Sequence, residues 1–87
     1  MISFIVIGLN VSSTISRCFE SIYNTISLNR INNYEAIYID SNSSDDSIEK
    51  VKSFKNVTIY KISKNANPAV SRNLGANKSK GSVFFFY

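Results

Sequence analysis

Apolar and polar stretches alternate along the chain with two different periods. Phe4-Ile5-Val6-Ile7 is a continuous apolar run rich in branched residues, the pattern of a strand buried on both faces. Gly8-Leu9-Asn10 breaks it. Ser12 or Ser13 offers a helix cap, and Ile15, Cys18 or Phe19, Ile22 and Ile26 then recur at helical spacing. Asn29 and Asn32-Asn33 close that helix. Ala36-Ile37-Tyr38-Ile39 predicts a second strand, followed by the polar loop Asp40 to Asp46. Ser43-x-x-Asp46 fits a capping box ahead of Ile48 and Val51, which predicts a second helix. Asp46 and Lys50 lie four apart, the spacing of a helical ion pair. Val57 to Ile62 predicts the third strand. Pro68 suits a helix first turn, with Ala69-Val70 and Leu74 as the apolar face and Gly81 as the stop. Val83 to Tyr87 predicts a fourth strand.

The order βαβαβαβ implies an α/β fold: an open parallel sheet with right-handed crossovers and helices on its faces. There is no internal repeat, low-complexity stretch or linker, so residues 1–87 read as one unit. The aromatic run at the end of the chain, with three helices for four strands, predicts the N-terminal part of a larger domain. Open α/β sheets bind ligands outside the carboxyl ends of their strands. That edge would hold Gly8, Leu9 and Asn10 after the first strand, Asp40, Ser41 and Asn42 after the second, and Lys64, Asn65, Ala66 and Asn67 after the third.

Composition narrows the chemistry. Of 87 residues, 44% are hydrophobic and 18% charged, which is globular rather than disordered. No apolar run approaches the ~20 residues of a membrane span, and no basic leader precedes Ile2. These missing signals point to a cytoplasmic location. A single cysteine excludes an internal disulfide, and zero histidines exclude Ser-His-Asp and Cys-His catalysis. The net charge of +4 favours anionic partners without choosing among them. The ten basic residues are scattered, so nothing reads as a nucleic-acid arm.

Asp40 is the most informative single residue. A carboxylate ending an apolar strand needs partners. It can take a ribose hydroxyl or base N–H, or it can bond the amides of its own loop; position alone does not separate the two. Asn10 can orient a ligand or serve as a plain loop amide. Arg72, early in the third helix, can pair with phosphate or stack on a base, though an exposed arginine is the simpler reading. Cys18, among apolar neighbours, reads as a small core residue. Neither G-x-G-x-x-G nor G-x-x-x-x-G-K-[ST] is present, which argues against dinucleotide-binding and P-loop enzymes.

Four segments in register carry a resemblance. Ser3 to Asn10 is similar to an opening strand. Tyr34 to Ser47 is similar to a strand with an Asp-Asp/Ser-Gly-Ser-Thr-Asp loop. Asn65 to Gly75 resembles Asn-x-Gly-x-x-x-Ala-Arg-Asn-x-Gly. Lys80 to Tyr87 resembles a strand leading into Asp-x-Asp. Together they resemble the N-terminal nucleotide-sugar-binding portion of family 2 glycosyltransferases, a Rossmann-like half of the GT-A fold. The resemblance implies a nucleotide-sugar donor, foremost a UDP-sugar, and a glycan or lipid-linked acceptor. It implies a divalent cation, Mn²⁺ or Mg²⁺, whose ligands fall beyond Tyr87, together with the catalytic base. It puts Gly8, Leu9, Asn10, Asp40, Ser41, Asn65 and Arg72 at the donor site, with Asp40 on the uracil or ribose and Arg72 near the base or diphosphate. Departures stand at Leu9 for a common aromatic, Ser41 for a second Asp and Asn67 for Gly. The resemblance also implies polysaccharide synthesis, a place at the inner membrane face for the whole protein, and little activity for this chain alone; it leaves a homo-oligomer open. The competing readings are a non-catalytic nucleotide- or anion-binding module and an interaction domain that pairs through an edge strand.

Overall fold

A computed structural model describes residues 1–63 and 67–81, together with the backbone of 83–86. The elements are β1 (Ile2–Gly8), α1 (Ile15–Leu28), β2 (Tyr34–Asp40), α2 (Ser47–Lys52), β3 (Val57–Lys61), α3 (Pro68–Lys78) and β4 (Val83–Phe86). They form one parallel four-stranded sheet in the order β3-β2-β1-β4. The α/β class and the alternating order read from the sequence are those of the structure.

The strand order explains the layering. From β1 through β2 to β3 the chain steps in one direction, then reverses and adds β4 on the far side of β1. Each crossover must be right-handed, so reversing the direction moves the crossover helix to the other face. Accordingly α1 and α2 cover one face and α3 the other. Strand alternation sorts the side chains to match. Phe4, Val6, Ala36 and Tyr38 join Ile15, Phe19, Ile22 and Val51 in the buried core under α1 and α2. The intervening Ile5, Ile37 and Ile39, also buried, face the α3 side. The register pairs Gly8 with Asp40 and Asp40 with Lys61, so three strands end level.

Five local expectations are corrected. The α1 N-cap is Thr14 rather than Ser12 or Ser13, and no side chain caps it. Ser43 does not begin α2: the helix starts at Ser47 behind Asp46, and the capping box does not form. Asp46 and Lys50 do not pair with each other; both reach Ser12, Asp46 through its hydroxyl and Lys50 Nζ through its carbonyl at 2.7 Å. On α3 the buried face is Ser71 and Gly75, while Ala69 and Val70 are exposed. A Cβ on Gly75 would collide with Ile5 Cγ2. The helix therefore seats through its smallest residues, which bring its backbone against the sheet. Gly81 is not the helix stop either: α3 ends at Lys78, with Ser79 already extended. Gly81 is small because Ser3 and the Met1 carbonyl press on it, and its N–H donates to Glu35 Oε2 at 3.1 Å. Among the described residues, no helix is long and apolar enough to cross a membrane.

Candidate functional site

At the level carboxyl ends of β1 and β2, the two following loops are tied into one unit. Asn10 sits in the left-handed region (φ 52°), which asparagine tolerates. That turn lets its Oδ1 accept from Ser44 N–H at 2.8 Å while its own N–H donates to Ser43 Oγ at 2.9 Å. Val11 N–H donates to Ser47 Oγ at 2.9 Å, and Ser12 N–H to Asp45 Oδ2 at 3.1 Å. The Ser47 hydroxyl, bonded to Asp45, is the main reason that the Asp45 carboxyl lies below the usual carboxylate range.

Asp40 anchors this unit from beneath. Its side chain is fully buried. Oδ1 accepts from Tyr38 Oη at 2.8 Å and from Ser43 Oγ at 2.7 Å, and Oδ2 accepts from Ser43 N–H at 2.7 Å. Tyr38 is itself wholly buried, and burial, followed by the Asp40 hydrogen bond, pushes its phenol above the ordinary value. Gly8 completes the arrangement. A Cβ there would lie 2.6 Å from Tyr38 Oη and 2.7 Å from Val11 Cγ2, so only glycine lets β1 pass over the Tyr38–Asp40 pair.

On the α3 side of the same strand ends lies a crevice of about 330 Å³. Its walls are Ile7, Gly8, Leu9 and Val11 from β1 and its loop, Ser41 from β2, and Pro68 and Ser71 from α3. It sits beside the reversal of strand order, where open α/β sheets place ligands. Alternation decides which loop residues reach it. Asp40 shares a face with Tyr38 and points away, whereas Ser41 follows Ile39 to the α3 side. Ser41 is 7% exposed, and its Oγ makes no hydrogen bond among the described residues. No side-chain polar atom among the described residues is both fully buried and unpartnered. The Ser41 hydroxyl therefore opens to the crevice.

The expected site residues thus divide. Gly8, Leu9 and Ser41 line the crevice together. Asn10 and Asp40 brace the loops beside it. Arg72 is exposed on α3 and does not line it. Asn65 lies outside the described residues, as do Lys64 and Ala66. Asn67 caps α3, its Oδ1 accepting from Val70 N–H at 2.9 Å. Cys18 is half-buried against the core, and that burial raises its thiol pKa and disfavours the thiolate. Ser71 escaped sequence reasoning, although it stands one helical turn past the Asn67 cap. Tyr38 escaped too, and its signal was its place two residues before Asp40 on the same strand face. Among the described residues, no group of three or more Cys, Asp or Glu side chains could hold a cation.

The family model described as Glycosyl transferase family 2 matches residues 3–87. Among curated proteins, none matches the chain. The match spans nearly the whole sequence, and the chain belongs to glycosyltransferase family 2.

Proposed function

We propose that the crevice beside β1, β2 and α3 receives the nucleoside part of a nucleotide-sugar donor, a UDP-sugar, whose sugar passes to a hydroxyl of a glycan or lipid-linked acceptor. The observation that carries this reading is an apolar slot at the strand-order reversal of a chain matching the family over residues 3–87. Ile7, Leu9, Val11 and Pro68 supply apolar walls that suit a heterocycle. Asn10 and Asp40 contribute from behind, by fixing the loops that carry Gly8, Leu9 and Ser41. The implied cation and the base that would deprotonate the acceptor belong to residues other than those described. Among the described residues, none that lines the crevice is a carboxylate.

Titration calorimetry with UDP, GDP and their sugars, with and without Mn²⁺, tests the reading. Weak UDP binding is expected, with a dissociation constant of about 1 mM or somewhat below. Leu9 is 45% exposed, so Leu9→Ala should leave stability nearly unchanged while weakening binding several-fold. An absence of heat with every nucleotide at about ten times that concentration would remove the donor site from this crevice.

A further inference from the structure

We infer that Ser41 is the residue that reads the edge of the bound base, and that it reads it without preference for donor or acceptor. The inference rests on the donor-site reading above. Three observations lead to it.

The first is that the crevice is not built for phosphate. A helix N-terminus binds anions through free N–H groups, but those of α3 are largely spent. Pro68 has no N–H, Val70 N–H is held by Asn67 Oδ1, and Ser71 N–H donates to Asn67 O at 3.1 Å. No lysine or arginine lines the crevice among the described residues. The heterocycle, not the diphosphate, matches these walls.

The second is that the nearby carboxylate is withdrawn. Asp40 is fully buried, faces the opposite side of the sheet and already accepts three hydrogen bonds. Polar recognition falls to the two hydroxyls among the lining residues, Ser41 and Ser71. Ser71 is 1% exposed and donates at 3.4 Å to Asn67 O. Among the described lining residues, Ser41 Oγ alone is both unengaged and open to the crevice.

The third is the chemistry of that group. A carboxylate only accepts, and so selects a base edge that donates. A hydroxyl rotates to donate or accept. It can take the N3–H of uracil or give its proton to N3 of cytosine. A site that can satisfy both edges leaves no buried group unpaired with either, and that penalty is the usual source of strong discrimination.

Calorimetric titration of the protein with UDP and with CDP tests this. The two dissociation constants should agree within about three-fold. Ser41→Ala should weaken both alike, by about five-fold, the loss expected for one hydrogen bond. Its urea midpoint should stay at the parent value, because the deleted hydroxyl has no partner among the described residues; a structural hydroxyl would shift it. A preference of more than about ten-fold for either nucleotide in the parent protein would overturn the inference and leave the donor site standing. So would a Ser41→Ala variant that binds both as the parent does, or one that loses only one of them. Binding of neither nucleotide by the parent would remove the donor site, and this role of Ser41 with it.

Discussion

Single atoms decide what the strand ends can do. Asp40 Oδ1 holds both the Tyr38 hydroxyl and the Ser43 hydroxyl, and Ser43 in turn holds the backbone of Asn10. Tyr38→Phe removes one buried hydrogen bond and leaves Asp40 its two from Ser43, so a loss of about 1–1.5 kcal/mol in urea unfolding is expected. The same pair makes the fold sensitive to alkali. The Tyr38 phenol titrates higher in the folded than in the unfolded chain. Its contribution is intact below the unfolded value of about 10 and is lost as pH rises from there through the folded value. Stability measured from pH 9 to 12 should fall more steeply for the parent than for Tyr38→Phe. Asp40 stood out in the sequence as a carboxylate ending an apolar run, with two readings open. Its actual partners were not legible, because they depend on a tyrosine two residues back and a serine three ahead meeting at one point. Alternation along β2 does separate residues 40 and 41, and it is the clearest local signal for which of them reaches the crevice.

Among the elements, β1, α1 and β2 were plainly written, since their apolar periods are strong. Residue Ile15 through Ile26 spacing placed α1, and Ala36 to Ile39 placed β2. The helix beginnings were less legible. Ser12, Ser43 and Asp46 have the right chemistry for caps, yet each finds a partner across the β1–β2 loop pair: Ser12 and Asp46 bond each other, and Ser43 Oγ accepts from Asn10 N–H. Tertiary hydrogen bonds outcompeted local ones. On α3 the apolar residues misled for a related reason. Close packing against a sheet rewards small side chains, and hydropathy does not register a glycine as a contact. Gly75→Ala should therefore destabilise the protein, by about 1–2 kcal/mol, although alanine is the better helix former by about 1 kcal/mol. Asn77→Ala, exposed on the same helix, should gain a few tenths of a kcal/mol instead. Denaturant unfolding of the two variants side by side checks the sign of each. If Gly75→Ala were the more stable, α3 would not be seated as described.

Across the whole molecule, the fold is lopsided. The face under α1 and α2 carries the aromatic core, with Phe54 stacked on Phe19 at 5.4 Å and on Tyr23 at 6.0 Å. The opposite face is closed by α3 over Ile5 and Ile39. The sequence showed the alternating elements but not the reversal of strand order, since nothing local says on which side of β1 the last strand will lie. That reversal is what gathers Ile7, Gly8, Leu9 and Val11, Ser41, and Pro68 and Ser71 around one crevice. These pieces are remote from one another along the chain and meet only when all the crossovers are complete. A guest seated among them is thus bound by the native state and ignored by the melted one. At about ten times its dissociation constant, such a guest should raise the thermal midpoint by about 5–10 °C. Simple heating can then rank candidate compounds before any reaction has been assigned.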